Sequence, residues 1–190
     1  YAHVPMILGA DGAKLSKRHG AVSVLQYREE GYLPEALLNY LVRLGWSHGD
    51  QELFTLEELT RLFDTTDVNK SASAFNPDKL LWLNQQHMMR ATPEYLAMHL
   101  KPQLAALGVT VDDDAQLAAI ARTQQERAKT LKEMAQNSVF FFVPPRTYEE
   151  KAAKKNLTQD AAPALRLAIE QLTALEPWTA AAIHGAVSDV

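Results

Sequence analysis

Four residues whose side chains can bind phosphate lie close together near the start of the chain: Lys14, Ser16, Lys17 and Arg18. They follow an apolar run and an Asp-Gly pair at residues 11–12, which favours a tight turn because glycine tolerates a positive φ. Ammonium groups held at the end of such a turn can bind a polyphosphate and stabilise charge that moves onto a leaving group. The same pattern is also typical of a solvated basic turn, because short basic runs are common. Spacing alone leaves both interpretations open.

The composition indicates a globular protein without a general attraction to polyanions. Of the 190 residues, 47% are hydrophobic and 22% are charged, and the formal net charge is −4. Any contact with a nucleic acid must therefore come from local basic patches. Cysteine is absent, which excludes disulfides, thiolate metal sites and a cysteine nucleophile. With no apolar run of membrane length and no signal-peptide pattern, the sequence predicts a cytoplasmic protein that does not contact a membrane.

Motifs for metals and for other nucleotide sites are missing from the sequence. The histidines are scattered, and none forms a His-x-x-x-His pair. The sequence contains no glycine-rich dinucleotide loop and no P-loop. We therefore predict no metal site in this chain.

Helix-capping signals recur along the chain and predict a mainly α-helical fold, with a strand-containing hairpin only at the basic turn. Serine, threonine, asparagine and proline are common at helix starts, and glycine is common after helix ends. An apolar stripe at helical spacing, which includes Leu37, Leu38 and Leu41, is expected on the second helix. The predicted starts are Ser23, Pro34, Thr55, Asn76 and Thr92, and the predicted stops are Gly31 and Gly45.

The longest helix is predicted in the second half of the chain, from about Asp114 to Ala135. Aspartates at residues 112–114 favour its start, because they lie at the positive end of the helix dipole. Pro102 is expected to break or kink the helix before it. The buried side of the long helix is expected to contain Leu117, Ile120, Ala121, Ala128, Leu131 and Met134.

Core packing and short helices are predicted for the rest of the chain. The apolar run at residues 139–143 is expected to pack between two helical layers. Helices should follow from about residue 147, from about 159 to 175, and after a cap at Thr179. The chain begins at Tyr1 without a methionine and ends without a helix cap, so we expect it to be a piece of a longer protein.

Several motifs from residue 14 onward together match one known enzyme family. Residues 14–18 read Lys-Leu-Ser-Lys-Arg, which is similar to the KMSKS signature of class I aminoacyl-tRNA synthetases, with leucine for methionine and arginine for the final serine. Residues 24–47 contain Tyr-Arg-Glu-Glu-Gly-Tyr-Leu-Pro-Glu-Ala and Leu-Gly-Trp-Ser, and residues 75–84 contain Phe-Asn-Pro-Asp-Lys-Leu and Trp-Leu-Asn. Together they resemble bacterial-type glutamyl-tRNA synthetases. The resemblance is strong from residue 8 to about 89 and looser, but still collinear, beyond that.

The resemblance implies an architecture in four segments. Residues 1–21 would be the tail of the catalytic domain with the KMSKS loop, and residues 22–91 a helical stem-contact domain under the inner corner of the tRNA. Residues 92–146 would form a first helical anticodon-binding subdomain, and residues 147–190 the incomplete start of a second. The family's nucleotide-binding domain with its HIGH motif would precede this chain, so we expect the segment to be inactive alone.

The resemblance also implies the chemistry of the basic turn. The family uses ATP with Mg²⁺ to activate L-glutamate and transfers the glutamate to the 3′ end of glutamate tRNA. Lys17 matches the second lysine of the signature, which contacts the ATP phosphates and stabilises the transition state. Lys14 is expected to assist as a second catalytic and phosphate-binding residue, and Ser16 to orient the loop at the phosphates. The full enzyme is expected to be a monomer.

A further set of residues is implied in tRNA binding. The family places an arginine on a helix of the first anticodon subdomain, where it helps to read the third anticodon base. Arg127 is the matching candidate, and Lys129 and Arg18 are further predicted nucleic-acid contacts. A guanidinium can distinguish base edges, although an exposed helical arginine in a surface ion pair is the alternative. Trp46 is expected to be a buried anchor of the stem-contact domain.

Other functions remain open on the sequence alone. The chain could be a tRNA-binding module without activity, or part of an enzyme that also charges glutamine tRNA. A glutamyl-queuosine synthetase-like protein would lack the helical anticodon region, and a glutaminyl enzyme would use β-barrels there. A helical scaffold with a chance basic turn would require the collinear match to be accidental.

Overall fold

Residues 4–16 and 23–188 are described by the computed structural model of the chain. The chain divides into two compact units, Tyr1–Val143 and Pro144–Val190. Within the described residues, ten α-helices account for most of the structure and the sheet has two short strands, so the predicted mainly α-helical fold is confirmed. No helix in these ranges is both long and apolar enough to cross a membrane.

The basic turn rests on a small parallel sheet. Strand β1 (Ile7–Leu8) pairs with β2 (Ser73–Ala74), which is distant in sequence. Leu8 also forms an antiparallel bridge with Lys14, and Gly12 adopts a φ of +76° in the turn between them. The Asp-Gly pair therefore makes the tight turn that the sequence predicts.

The first four helices are α1 (Val24–Glu29), α2 (Pro34–Arg43), α3 (Leu56–Leu62) and α4 (Pro77–Arg90). The side chains of Ser23, Thr55 and Asn76 each accept a hydrogen bond from a backbone N–H two or three residues later. Pro34 is the first residue of α2, and Gly31 follows α1 with a φ of +85°. These predicted helix ends are confirmed. They were predictable because each depends on interactions within one helical turn.

The buried face of α2 differs from the predicted apolar stripe. Leu38 and Leu41 are 40% and 42% exposed, whereas Asn39 and Tyr40 are buried beside Leu37. The amide of Asn39 bonds the backbone at residues 52–54, with both N···O distances at 3.0 Å. A polar residue therefore takes a core position, since it satisfies backbone groups that would otherwise be buried without partners.

Helices α5 (Pro93–Ala106), α6 (Asp114–Gln124) and α7 (Leu131–Ser138) contribute most of the largest core. Helix α5 continues through Pro102, so the predicted break is wrong. A proline inside a helix costs about 3 kcal/mol. Burying a leucine side chain stabilises by about 1.5–3 kcal/mol. Tertiary packing thus offsets the cost, through the fully buried Leu96, Leu100 and Leu104.

The predicted long helix from Asp114 to Ala135 is two helices, and the expectation of one continuous helix is wrong. The carbonyl of Gln124 accepts hydrogen bonds from the N–H groups of Arg127 at 2.9 Å and Ala128 at 3.1 Å, which closes a turn after α6. Thr130 then caps α7 by accepting from the N–H of Glu133 at 3.1 Å. The apolar positions expected on the buried side are all buried, five of them on the two helices and Ala128 in the turn between them: Leu117, Ile120, Ala121, Ala128, Leu131 and Met134.

The apolar run at residues 139–143 is only partly in the core, which corrects the prediction. It forms a single 3₁₀ turn, Val139–Phe141, after α7. Val139 and Phe142 pack against the core, whereas Phe140, Phe141 and Val143 are 58%, 41% and 37% exposed. A tight turn directs neighbouring side chains to different sides, so the five residues cannot all face one core.

The second unit contains α8 (Glu150–Asn156), α9 (Ala162–Thr173) and α10 (Ala180–Ser188). The first two start three residues later than expected. The side chain of Thr179 accepts from the N–H of Ala182 at 3.3 Å, which confirms the predicted cap of the third. The side chains of these three helices that the structure describes are half-buried or exposed.

Candidate functional site

The described part of the basic turn is held by backbone hydrogen bonds. The N–H of Leu15 donates to Ile7 O at 2.9 Å, and the N–H of Gly9 donates to Ala13 O at 2.8 Å. Lys14 stands at the end of this hairpin with an exposed side chain, and Ser16 is half-buried. Within residues 4–16 and 23–188, the ammonium of Lys14 forms no ion pair. The hairpin thus presents one cation whose charge is not neutralised by a neighbouring described carboxylate.

Two of the predicted phosphate-binding residues, Lys17 and Arg18, lie outside the described residues. Their roles therefore stay predictions. The chain is described again from Ser23, whose hydroxyl oxygen accepts from the N–H of Leu25 at 3.3 Å and caps α1.

An aromatic cluster links α1 to the strands below the basic turn. Tyr27 of α1 packs edge-on against Tyr32 with ring centroids 5.6 Å apart, and its ring lies 6.5 Å from that of Phe75. The N–H of Phe75, which follows β2, donates to Leu8 O of β1 at 2.8 Å. Burial, with the nearby Glu30 carboxylate, raises the pKa of both tyrosines, so they stay neutral. The hairpin at Lys14 and helix α1 are therefore connected through contacts with Phe75.

The predicted nucleic-acid contacts Arg127 and Lys129 lie on the loop between α6 and α7. We call residues 125–130 the basic loop. Both side chains are exposed, and neither forms a hydrogen bond or ion pair with any residue that the structure describes. Arg127 was expected on a helix, so its placement on a loop corrects that expectation. The surface ion pair considered as an alternative for Arg127 is not formed within the described residues.

Two other cations of the first unit, Arg43 and Lys79, are paired with one carboxylate, unlike those on the basic loop. Glu52 lies 3.3 Å from the guanidinium of Arg43 and 3.1 Å from the ammonium of Lys79. Burial alone would raise the pKa of Glu52, but hydrogen bonds from Lys79 and Arg43 outweigh it and lower that pKa. Lys79 also lies over the ring of Trp82, 4.3 Å from its centroid. These two cations support the fold rather than an exposed anion site.

Two side-chain amides hold the basic loop against α4. The Nε2 of Gln125 donates to Met88 O at 2.7 Å and to Ala91 O at 2.8 Å, at the end of that helix. The Nδ2 of Asn84 donates to Lys129 O at 2.7 Å. The loop is thereby fixed near both of its ends.

A glycine turn holds the start of α7 from the other side. The N–H of Leu131 donates to Gly31 O at 2.9 Å. A Cβ on Gly31 would lie 2.3 Å from the backbone nitrogen of Lys132, so the two backbones meet too closely for any side chain. The basic loop is therefore positioned by the turn that follows α1 as well as by α4.

The buried amides Asn39 and Asn84 were not identified as structural residues by sequence reasoning. Each has a fully buried side chain at a position where an apolar residue is usual. The N–H of Leu33 donates to Asn84 Oδ1 at 2.8 Å. The Nε2 of His87 lies 3.0 Å from Asn39 Oδ1, and burial lowers the pKa of that histidine. An asparagine within an otherwise apolar helix face was the only sequence signal.

The described residues contain no cluster of three or more histidine, aspartate or glutamate side chains placed to hold a metal ion. The arrangement consists instead of two separate basic features. One is the hairpin at Lys14, and the other is the basic loop with Arg127 and Lys129. Exposed cations on rigid backbone segments are suited to binding phosphates and base edges.

Two family models match the chain, and they divide it near residue 90. Residues 1–82 match the catalytic domain of class I tRNA synthetases (E and Q), and residues 95–190 match an anticodon binding domain. The second match alone covers half of the chain.

Curated relatives and solved structures agree with these matches. The chain is 62% identical over 189 residues to "Glutamate--tRNA ligase 2" of Halorhodospira halophila, covering 100% of this chain and 40% of the relative. It is 60% identical to "Glutamate--tRNA ligase 1" of Alkalilimnicola ehrlichii, covering 98% of this chain and 40% of the relative. The crystal structure of a glutamate tRNA ligase from Elizabethkingia meningosepticum superposes with a TM-score of 0.82 at 31% identity, covering 99% of this chain and 41% of that one.

The chain thus spans about 40% of the length of the curated relatives that it matches. Its motifs, its helical fold and both family models lead to the same assignment. The chain belongs to the glutamyl-type family of class I aminoacyl-tRNA synthetases, of which it contains a part of the catalytic domain and an anticodon-binding domain.

Proposed function

We propose that this chain is part of an ATP-dependent glutamate–tRNA ligase, which activates L-glutamate and transfers it to the 3′ end of glutamate tRNA. The identity of 62% over 189 residues to a curated ligase of that name carries the proposal. Because the chain spans about 40% of that relative, the reaction belongs to the whole protein that contains it. The enzyme would act in the cytoplasm as a monomer.

The basic turn would serve the activation step. The carboxylate of glutamate attacks the α-phosphorus of the substrate Mg²⁺–ATP, a new O–P bond forms, the bond to the β-phosphate breaks and pyrophosphate leaves. Lys17 and Lys14 would stabilise the charge that accumulates on the leaving pyrophosphate, and Ser16 would orient the loop. The exposed Lys14 at the end of a hydrogen-bonded hairpin, with no ion pair to any described residue, supports this role.

The helical remainder would bind the tRNA. A hydroxyl of the terminal ribose then attacks the acyl carbon and AMP leaves. We propose that residues 22–91 contact the stem, and that residues 92–146 and 147–190 belong to the anticodon-binding region. Arg127 would read the third anticodon base, while Lys129 and Arg18 would bind phosphates. The exposed side chains of Arg127 and Lys129, which pair with no residue that the structure describes, support the assignment.

ATP–pyrophosphate exchange tests the role of the basic turn. In the full-length ligase, Lys17→Ala should lower exchange on the order of 10²- to 10³-fold, the usual effect of removing one preorganised charge. Its affinity for glutamate tRNA should change little. Lys151→Ala, which removes an exposed lysine of α8, is the matched control and should exchange at the wild-type rate. Wild-type exchange by Lys17→Ala would contradict the assignment.

A further inference from the structure

Two side-chain amides, those of Gln125 and Asn84, hold the basic loop in place. We propose that Gln125 and Asn84 are positioning residues that hold the basic loop in the conformation needed to read a base. Gln125 does so by donating to carbonyls at the end of α4, and Asn84 by donating to the carbonyl of Lys129. The inference rests on the proposed tRNA-binding function of the loop. We call these two side chains the amide clamp.

Gln125 anchors the start of the loop. Its Nε2 lies 2.7 Å from Met88 O, 3.2 Å from Met89 O and 2.8 Å from Ala91 O. The last carbonyls of a helix have no partner within the helix. One side chain therefore satisfies the end of α4 and fixes the residue two positions before Arg127.

Asn84 anchors the other end of the loop. Its side chain is fully buried, and it bonds Leu33 N through Oδ1 and Lys129 O through Nδ2. The N–H of Lys129 is also bound, since it donates to Glu133 Oε2 at 2.8 Å. Both backbone polar groups of Lys129 are thus held while its side chain remains exposed.

Arg127 lies between these two anchors, and only its backbone is held. The N–H of Arg127 donates to Gln124 O at 2.9 Å, and its guanidinium has no partner among the described residues. A fixed backbone with an available guanidinium is the arrangement that base readout requires. Hydrogen bonds to a base edge need close positioning, whereas attraction to phosphates tolerates displacement.

Loosening the loop should therefore reduce selectivity more than it reduces affinity. A mobile loop would keep its charge near the phosphates but would lose the fixed direction of the Arg127 side chain. If the clamp only stabilised the fold, selectivity and general affinity would fall together or not at all. The two roles are thus separable by measurement.

The test is Gln125→Met in the wild-type chain, because methionine keeps the length of the side chain and removes the donor. Gln51→Met is the matched control, since Gln51 Nε2 likewise donates to a backbone carbonyl, Leu53 O, at 2.8 Å and lies outside the basic loop. Dissociation constants are measured at one salt concentration for glutamate tRNA and for the same tRNA with its third anticodon base changed. Amide hydrogen exchange at residues 126–130 reports the mobility of the loop.

We expect Gln125→Met to accelerate exchange at residues 126–130 and to lower the ratio of the two dissociation constants roughly tenfold, the usual value of one base contact. Binding of Gln125→Met to the changed tRNA should stay within about twofold of wild type. For Gln51→Met the ratio of the two dissociation constants and exchange at residues 126–130 should be unchanged, because a stem contact affects both tRNAs equally. Unchanged selectivity in Gln125→Met, with or without faster exchange, would overturn the inference alone. A wild-type chain that binds both tRNAs equally would overturn the base-reading function together with the inference.

Discussion

Replacing Gly31 with alanine should destabilise the first unit far more than an ordinary glycine substitution. Gly31 has a φ of +85°, and an alanine at such a φ costs about 1–2 kcal/mol. Its new Cβ would also lie 2.3 Å from Lys132 N and 2.8 Å from Leu131 N. Both are backbone atoms at the start of α7, so α7 must move and its hydrogen bond to Gly31 O must lengthen. Overpacking of this kind costs a further 1–3 kcal/mol or so, and a lost hydrogen bond about 1 kcal/mol.

The expected total for Gly31→Ala is about 3–6 kcal/mol. Gly108→Ala is the matched control, because Gly108 has a φ of +78° and no atom lies within 4 Å of the position that its Cβ would take. That control should cost only the backbone penalty of about 1–2 kcal/mol. The difference between the two variants isolates the close approach of the turn to α7.

Urea unfolding followed by tryptophan fluorescence measures both variants. Trp46 is 2% exposed in the first unit and should report its unfolding. With a slope of about 2 kcal/mol per molar urea, the midpoint should fall by roughly 1.5–3 M for Gly31→Ala and by about 0.5–1 M for Gly108→Ala. Equal midpoints for the two variants would mean that Gly31 does not lie against the backbone of α7.

Two further predictions concern base selectivity and pH. Arg127→Gln should reduce the preference of the full-length ligase for glutamate tRNA over glutamine tRNA roughly tenfold or more, because a base contact is lost. The ratio of the charging rates for the two tRNAs measures this preference. An unchanged ratio would contradict the role of Arg127. Burial lowers the pKa of His87 from 6.5, although the Glu35 carboxylate partly opposes this and Arg90 adds to it. As the pH falls through 6.5, the unfolded chain protonates His87 more readily than the folded chain does, which favours unfolding. The urea midpoint should therefore be lower at about pH 5.5 than at about pH 7.5. This decrease should be smaller in His87→Gln. An equal decrease in both proteins would mean that His87 does not cause it.

Local interactions were predictable from the sequence, and pairings between distant segments were not. Ser23, Thr55 and Asn76 cap helices as expected, because a cap bonds a backbone N–H two or three residues away. The hairpin at Lys14 followed from its Asp-Gly turn, but its pairing with β2 joins segments that are far apart in sequence. No local pattern specifies such a partner.

The break between α6 and α7 shows how an apolar pattern can mislead. The buried positions keep a helical spacing across the break, so periodicity alone predicts one helix. A cap signal was nevertheless present, since Thr130 is followed three residues later by Glu133. The buried Asn84 is harder to predict, because its partners Leu33 and Lys129 lie 51 and 45 residues away.

A binding titration of this chain measures whether it contains a tRNA interface that reads the third anticodon base. Affinity for glutamate tRNA is measured over a range of salt concentrations and compared with that for the same tRNA carrying a changed third anticodon base. We predict that binding weakens as salt rises, because phosphate contacts release counterions, and that the changed tRNA binds less tightly at every salt concentration. Equal affinity for both tRNAs across the whole salt range would mean that the chain does not read the third anticodon base.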